Sequence, residues 1–303
     1  MNKNNFKIDI GIPSYNEGEN IRKLILDILS QNLDNMSINS IIVSSDGSND
    51  NTIDVLKKIK DTRFKNLIVI DNQDRKGIAR GLNQIIQNAT SDCLITLDAD
   101  IKITNSKFIS NLAGCILNEH YDHTSSAIKP KKQNTFFGKI IYSSMEIKNY
   151  LFDNWKQGNN IYTCHGLARG YSRRFYTKLM FPISIGNDMY SYLRCIELGY
   201  TFKYVKDSVA YYKLPTNFKD HKRQSLRFLN NSSFLTDYFE LQFVKDETTI
   251  KCSKIINCIP EMIGLILKNN VYILSYVFIF LYINFFYKSE RVDQAWQISG
   301  TTK

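Results

Sequence analysis

The chain has 303 residues, enough for one large domain or for one domain with a substantial appendage. Hydrophobic residues make up 43% of it and charged residues 22%, which indicates a globular rather than a disordered chain. The net charge of +10 suits an anionic membrane face or an anionic small substrate. The basic residues carry no nucleic-acid motif, so no nucleic acid is expected as a partner.

Strands and helices alternate through the first hundred residues. The strands are predicted at 7–13, 41–43, 67–70 and 93–97, and the helices at 21–29, around Leu56 and Ile59, and at 78–87. Asn16 is expected to cap the first helix, with Glu19 three residues later. This order predicts an α/β fold, with a Rossmann-like, mostly parallel sheet and helices on both faces.

The second half of the chain has a less regular pattern. Residues 101–210 are expected to hold loops and short strands, apart from a helix at 187–198 ended by Gly199 and a strand at 201–205. A basic stretch, residues 213–227, follows. Residues 271–287 then run without a charge between Lys268 and Lys288. As a helix they would measure about 26 Å, the low end for crossing a bilayer.

This apolar segment predicts a transmembrane or interfacial helix, and a buried core helix is the alternative. A weaker apolar stretch, 255–267, contains Pro260. The N-terminus has no apolar run typical of a signal peptide. The six cysteines have no zinc spacing, so we expect reduced thiols in a cytosolic domain.

Polar loops follow three of the predicted strands: residues 14–17, 46–48 and 98–100. Ligands of parallel sheets bind beyond the carboxyl ends of the strands, so these loops predict one shared site. Asp98 and Asp100 lie two residues apart, where an extended chain points both side chains to one face. Two such carboxylates either mark a strand reaching the surface or bind a hard cation, Mg²⁺ or Mn²⁺.

Three further residues each allow a structural and a functional interpretation. Asp46 either belongs to a turn or accepts hydrogen bonds from a base or ribose. Lys76 precedes a helix and is either a solvated lysine or a phosphate ligand. Asp188 opens a helix, where it either compensates the helix dipole or acts as a general base.

Six segments in this order carry a resemblance to a known family: IGIPSYNEGENI, SSDGSND, RKGIARGLN, LITLDAD, GNDMYSYLRCIELGY and RQSLRF. Together they resemble the family 2 inverting glycosyltransferases of GT-A fold, over roughly residues 7–230. The chain is also similar to the membrane polysaccharide synthases, which carry a Gln-x-x-Arg-Trp motif. Phe228 stands here in place of the tryptophan.

The resemblance implies a role for each matching residue. Asp46 would hold the uracil or other base, Asp98 would touch ribose or metal, and Asp100 would bind the metal that bridges the diphosphate. Asp188 would be the general base. The remaining implied residues are Pro13, Tyr15, Glu17 and Lys76 for the nucleotide, Gln224, Arg227 and Phe228 for the acceptor or diphosphate, and His165 and Gly166 for a loop facing the donor sugar.

The resemblance also implies a GT-A domain at 1–230, with a nucleotide half at 1–102 and an acceptor half at 103–230, and a helical region at 231–303. The expected activity is transfer of a sugar from a nucleoside-diphosphate sugar, with UDP-sugar as first choice, to a lipid-linked or glycan acceptor. The expected location is the cytoplasmic face of the cell membrane, in cell-envelope or exopolysaccharide synthesis. One or two membrane helices could not readily enclose a channel for a long polymer.

Two alternative functions remain open from the sequence. A nucleotidyltransferase also uses an α/β sheet, a metal and phosphates, but it usually needs a Gly-rich, Arg-containing loop after the first strand. The stretch from Pro13 to Glu17 lacks such a loop. A non-catalytic nucleotide-binding membrane module would keep the fold without the reaction.

Overall fold

The structure is a computed structural model that describes residues 6–183, 186–251, 253 and 255–287, with the backbone alone at 230–233. Cys252, Lys288 and the rest of the predicted C-terminal region after Tyr287 lie outside the described residues.

Eight strands and eleven α-helices occur in the described residues. The strands are β1 (Phe6–Ser14), β2 (Met36–Asp46), β3 (Leu67–Asn72), β4 (Cys93–Leu97), β5 (Lys102–Ile103), β6 (His123–Pro130), β7 (Ala168–Ser172) and β8 (Phe202–Tyr212). The helices are α1 (Gly18–Leu29), α2 (Thr52–Thr62), α3 (Ile78–Asn88), α4 (Phe108–Leu117), α5 (Phe136–Asn154), α6 (Arg173–Tyr176), α7 (Asn187–Glu197), α8 (Phe218–Phe234), α9 (Leu241–Thr248), α10 (Ile259–Lys268) and α11 (Asn270–Tyr287).

The strands form one eight-stranded sheet in the order β3-β2-β1-β4-β7-β6-β8-β5. β1 pairs in parallel with both β2 and β4, and β2 pairs in parallel with β3. The pairs β4–β7, β6–β7 and β5–β8 are antiparallel. The predicted α/β class is therefore right, and its parallel part is the half of the sheet that the first hundred residues build.

The burial pattern explains why the first strands could be predicted from the sequence. β4 is buried at all five positions, as expected for a strand covered on both faces. In β1, Ile8, Ile10 and Ile12 are fully buried. α1 places Ile21, Leu24, Ile25 and Ile28 on one buried face.

The chain divides into two compact units. Unit 1 comprises residues 1–129, 164–183 and 187–211, and it contains most of the sheet with α1–α4, α6 and α7. Unit 2 comprises 130–163, 184–186 and 212–303, and it contains α5 and α8–α11. In unit 2, Ile140 and Ile141 of α5 form an apolar cluster with Leu214, against which Tyr272, Tyr276 and Ile279 of α11 pack.

Several sequence expectations need correction. Residues 101–210 contain three helices that the pattern did not predict, α4, the 19-residue α5 and the short α6, so this region is not only loops and short strands. The strand expected at 201–205 extends to Tyr212. Asn16 does not cap α1: the helix begins after Glu17, and Asn16 takes a left-handed φ of 54° that points its side chain to Asn49.

α11 spans the uncharged segment singled out in the sequence. Within the described residues it is the single helix long and apolar enough to cross a membrane, and 6% of that stretch is buried. The weaker stretch before it forms a 3₁₀ turn at Ile256–Cys258 and α10, with Pro260 in the first turn. The cysteines that the structure describes are free and buried.

Candidate active site

The loops after β1 and β2 are tied together at the carboxyl edge of the parallel strands. The Asn16 backbone N–H donates to Ser48 Oγ at 3.0 Å, and the Glu17 N–H donates to Thr52 Oγ1 at 2.9 Å. The Gly18 N–H donates to Asp50 Oδ2 at 3.2 Å. These bonds fix Glu17 at the start of α1, where its carboxylate accepts a hydrogen bond from the Asn20 side chain at 2.7 Å.

Asp46 ends β2 and organises the loop before α3. Its carboxylate accepts the N–H of Lys76 at 3.0 Å and that of Gly77 at 2.7 Å. Arg80 adds an ion pair with Asp46 at 2.7 Å. Asp46 therefore shapes this loop, and a contact with a nucleotide base would come in addition to these three donors. The Lys76 ammonium is exposed and pairs with Asp74 at 3.1 Å.

Asp98 lies among charges of both signs. Burial, together with the nearby Asp100, Asp188 and Glu17 carboxylates, raises the pKa of the Asp98 carboxyl to about 8, against the lowering effect of Arg169. Glu17, Asp100 and Asp188 thus each lie within electrostatic reach of Asp98, although Glu17 and Asp188 are distant from it in the sequence. The Asp98 N–H donates to the Leu167 carbonyl at 2.9 Å, which fixes the loop after β4 beside β7.

This carboxylate group fits a hard divalent cation. Asp98 and Asp100 offer the oxygen ligands that Mg²⁺ and Mn²⁺ prefer, and a cation would relieve the repulsion that raises the Asp98 pKa. Among the described residues, no three His, Cys, Asp or Glu side chains form a complete metal cage. A site of one or two carboxylates completed by substrate phosphates and water is the usual arrangement for Mg²⁺.

Asp188 stands in the first turn of α7, and a buried arginine holds the start of that helix. Arg169, 1% exposed in β7, donates to the Asn187 carbonyl at 2.9 Å and to Asn187 Oδ1 at 2.6 Å. It also donates to Ser191 Oγ at 3.2 Å. The Arg169 guanidinium attracts the Asp98 and Asp188 carboxylates. One side chain thus fixes the backbone beside Asp188 and supplies positive charge to the carboxylates.

A second polar group packs under α7. His123 Nε2 lies 3.1 Å from Ser191 Oγ and 3.2 Å from Cys164 Sγ. Burial lowers the pKa of His123 to about 3 and raises that of Cys164 to about 12. At neutral pH the imidazole is uncharged and the thiol protonated, so neither group is suited to act as base or nucleophile.

The remaining nucleotide and donor-loop candidates also lie in unit 1. Pro13 is the last residue but one of β1 and lies opposite Ser44 of β2. The Tyr15 ring lies under the Arg75 guanidinium, 4.0 Å from its centroid. The His165 N–H donates to Ser125 Oγ at 3.0 Å, and burial lowers the pKa of His165 to about 4. Gly166 leaves ordinary space for a Cβ, whose nearest contact would be Asn187 Oδ1 at 3.9 Å.

Gln224, Arg227 and Phe228 belong to unit 2, on α8. At helical spacing i, i+3 and i+4 they share one face of the helix. Gln224 is exposed, and Phe228 is 53% exposed. The Phe228 ring lies 6.4 Å from that of Tyr162. An exposed aromatic beside a polar side chain offers a stacking surface of the kind that sugars use.

The sequence did not predict that Arg169 forms one hydrogen-bonded group with Asn187 and Ser191. Arg169 stands in a stretch with two further arginines and reads as one of several surface charges. The signal that could have found it is the strand pattern, which places an arginine inside a run of small and apolar residues. Arg80 was within a quoted motif, but nothing local indicated its bond to Asp46.

Comparison with known sequences identifies the family. The sequence profile of "Glycosyl transferase family 2" matches residues 9–180, more than half of the chain. The chain belongs to this family. The match covers the loops after β1, β2 and β4 and all of β7. It confirms the family predicted from the sequence, and with it the enzyme class, glycosyltransferase.

Curated relatives of this family 2 chain match over short segments. The poly-beta-1,6-N-acetyl-D-glucosamine synthase of Staphylococcus aureus (strain COL) is 37% identical over 86 residues, which cover 28% of this chain and 20% of the relative. The uncharacterized glycosyltransferase YfnE of Bacillus subtilis is 34% identical over 95 residues, 31% of this chain and 23% of the relative. The chain therefore matches about a fifth of these relatives' length.

Solved structures support the fold over a longer stretch. The mannosyltransferase PcManGT from Pyrobaculum calidifontis, in complex with GDP-Man and Mn²⁺, superposes with a TM-score of 0.67 at 14% identity, covering 94% of this chain and 88% of that one. TarS 1–349 from S. aureus, in complex with UDP, gives a TM-score of 0.56 at 15% identity, covering 82% and 68%. These neighbours confirm the GT-A fold of the family 2 chain.

Proposed function

We propose that this protein transfers a sugar from a nucleoside-diphosphate sugar, with UDP-sugar as first choice, to a lipid-linked or glycan acceptor, with inversion at the anomeric carbon. The observation that carries the proposal is that Glu17, Asp100 and Asp188 each lie within electrostatic reach of Asp98. Two of them follow β4, where parallel sheets bind nucleotides, and the fourth opens a helix far along the chain.

The nucleotide occupies the edge formed by the loops after β1, β2 and β4. Pro13, Tyr15 and Glu17 line the nucleoside, Asp46 and the loop it organises hold the base, and Lys76 lies near the phosphates. The exposed Lys76 ammonium can leave its ion pair with Asp74 at small cost, because exposed pairs contribute about 0–1 kcal/mol. UDP and GDP-Man complexes among the structural neighbours support this class of donor.

Asp98 and Asp100 hold a divalent cation, Mg²⁺ or Mn²⁺, with Asp98 also within reach of the ribose. When bound, the cation supplies positive charge to the diphosphate leaving group. Mn²⁺ in the PcManGT complex supports this cofactor class. Arg169 is too deeply buried to contact the diphosphate, and its charge balances the carboxylates from behind.

Asp188 acts as the general base. Its carboxylate accepts the proton of the acceptor hydroxyl while the hydroxyl oxygen forms a bond to the anomeric carbon and the bond to the diphosphate breaks. Attack opposite the leaving group inverts the configuration. The His165–Gly166 loop faces the donor sugar, and Gln224, Arg227 and Phe228 border the acceptor or diphosphate. The domain boundary at residue 230 and the halves at 1–102 and 103–230 belong to this proposal.

The acceptor side is associated with a membrane. The exposed apolar helix α11 and the net charge of +10 support association with an anionic lipid surface. The polysaccharide synthase among the curated relatives supports a role in cell-envelope or exopolysaccharide synthesis, at the cytoplasmic face of the cell membrane.

A thermal-shift panel tests the donor site. UDP-GlcNAc, UDP-glucose and GDP-mannose are each added with Mn²⁺ or with EDTA. A ligand at 100 times its Kd stabilises the fold by about 2.7 kcal/mol, so one donor should raise Tm in Mn²⁺ and fail to do so in EDTA. Pyrophosphate release from a nucleoside triphosphate would instead support a nucleotidyltransferase. No response to any nucleoside diphosphate would support a non-catalytic module.

A further inference from the structure

Two opposite stripes of side chains divide helix α11. The inner stripe consists of Tyr272, Tyr276, Ile279, Ile283 and Tyr287, and the outer stripe of Leu274, Val277, Phe278, Leu281 and Phe285. At 100° per residue each stripe covers about a third of the helix surface. Ile283 is 1% exposed, whereas Phe278 is 73% and Phe285 83% exposed. The helix is apolar all round, yet just one side is covered.

The inner stripe packs on two helices of the same unit, α5 and α8. At the first turn the Tyr272 ring lies 5.6 Å from Phe136 of α5. Near the middle the Tyr276 hydroxyl accepts a hydrogen bond from the Lys148 ammonium of α5 at 2.5 Å.

The same packing continues through the second half of the helix. Tyr282, at the border of the two stripes, lies 5.9 Å from Phe218 of α8. At the last turn the Lys222 ammonium of α8 lies 3.9 Å from the Tyr287 ring centroid. α8 therefore runs beside the second half of α11, while α5 contacts the first half.

This packing conflicts with a membrane-crossing helix. If α11 crossed a bilayer, its middle turns would lie at the centre of the hydrocarbon. Lys148, bound at the middle, would enter the lipid with it, and the α8 segment with Asp220, Lys222 and Arg223 would follow. Charged groups at that depth are strongly disfavoured. The apolar composition of α11 favours contact with lipid, but the contacts of its inner stripe hold it against α5 and α8.

We propose that α11 lies parallel to the membrane surface, with its outer stripe inserted into one leaflet and its inner stripe on α5 and α8. The inference rests on the proposed membrane association and adds its geometry. Tyrosines of the inner stripe then lie at the level of the headgroups, where amphipathic rings are favoured.

Helix α10 extends the inserted surface. Its residues Ile259, Ile263, Ile266 and Leu267 are exposed and share one face, and none of its residues is buried. Lys268 ends α10, and the Lys222 ammonium of α8 lies 3.9 Å from the Tyr287 ring centroid of α11, so positive charge adjoins both helices. Apolar insertion combined with adjacent basic residues favours an anionic bilayer.

A two-tag topology experiment tests the orientation. The full chain carries one epitope tag before Met1 and another after Lys303, and sealed membrane vesicles are treated with protease. Parallel insertion places both tags on the same side, so that they are cut or protected together. A crossing helix places them on opposite sides, and protection of one tag alone would overturn the inference. The readout does not involve sugar transfer, so it can fail while the proposed enzyme function stands.

Vesicle flotation tests which residues insert. Phe278→Glu and Phe285→Glu should each reduce binding to phosphatidylglycerol vesicles at least tenfold, while the matched control Met180→Glu should not. Met180 is 69% exposed and belongs to unit 1, whereas α10 and α11 belong to unit 2. Circular dichroism melting confirms that each variant is folded. If the wild type fails to float and light scattering shows a dimer that Phe285→Glu dissociates, a second copy covers the stripe and the inference is wrong.

Discussion

Replacing Arg169 by methionine tests whether the buried guanidinium positions Asp188. Methionine keeps the length and fills the space, but it removes three hydrogen bonds to Asn187 and Ser191. Bonds to a charged donor contribute about 1.5–3 kcal/mol each, but they are not additive and the buried charge itself is costly. Removing one partner of a buried charged network costs about 3–5 kcal/mol. Because the apolar replacement also removes the buried charge, we expect Arg169→Met to lower the free energy of unfolding by about 3 kcal/mol.

This loss should appear in both stability and turnover. At about 2–4 °C per kcal/mol for a large domain, Tm should fall by about 6–12 °C. A displacement of about 1 Å in a reacting group costs roughly a hundredfold in rate, so kcat should fall by about that factor. The KM for the nucleotide sugar should change less, since the nucleotide lies on the loops after β1, β2 and β4.

Two variants sharpen the Arg169 test. Arg169→Lys keeps the charge but cannot bridge both oxygens of Asn187, so its kcat should be intermediate. Arg173→Met, an exposed arginine five residues after the start of β7, should leave stability and kcat unchanged. The positioning role of Arg169 would be refuted if the free energy of unfolding of Arg169→Met were within about 0.5 kcal/mol of that of the wild type and its kcat were unchanged.

Three further changes have defined outcomes. Asp100→Asn should weaken Mn²⁺-dependent nucleotide binding by at least about tenfold in calorimetry, with binding in EDTA unchanged. Burial alone would raise the pKa of Asp122, but Arg174, a backbone N–H and a hydroxyl lower it below its ordinary value. Ionised Asp122 therefore contributes stability above about pH 4 that is lost as the pH falls through its lowered pKa, so in urea unfolding Asp122→Asn should cost about 2–3 kcal/mol at pH 7 and progressively less below pH 4. Gly170→Ala places a Cβ 2.4 Å from a neighbouring Oγ1 and should cost about 1–3 kcal/mol, whereas Gly264→Ala, with nothing within 4 Å, should not destabilise.

The first half of the fold could be predicted because its signals are local. Each of β1 to β4 contains a short apolar run, and the helices between them repeat their apolar positions at helical spacing. Parallel order and the shared polar edge follow from that alternation alone. The end of β4 at Leu97, and hence the position of Asp98, was readable for the same reason.

The second half could not be predicted because its pairings are distant. β7 pairs between β4 and β6, and β5 pairs with β8 about a hundred residues later. No local pattern indicates which strand is inserted where. α5 mixes aromatic, polar and charged residues along 19 positions, so its apolar face is weak. Its packing partners on α11 lie more than a hundred residues away.

The candidate site likewise contains residues that the sequence predicts and residues that it does not. Asp46, Asp98, Asp100 and Asp188 were found from motifs and from their places at element ends. The groups that hold them were not, because the bonds from Arg169 to Asn187 and from Arg80 to Asp46 join segments separated in sequence. The prediction that Asn16 caps α1 was wrong for a related reason, because its hydrogen bonds to the loop after β2 override its local capping preference.

The most direct test of the account measures Asp188→Asn with the donor that the thermal-shift panel selects. Asparagine has nearly the same shape but cannot accept the acceptor proton, so we predict Mn²⁺-dependent donor binding within about twofold of the wild type. Transfer should fall by about 10²–10⁴-fold, the usual contribution of a general base. Wild-type turnover with intact donor binding would contradict the central claim that Asp188 is the base.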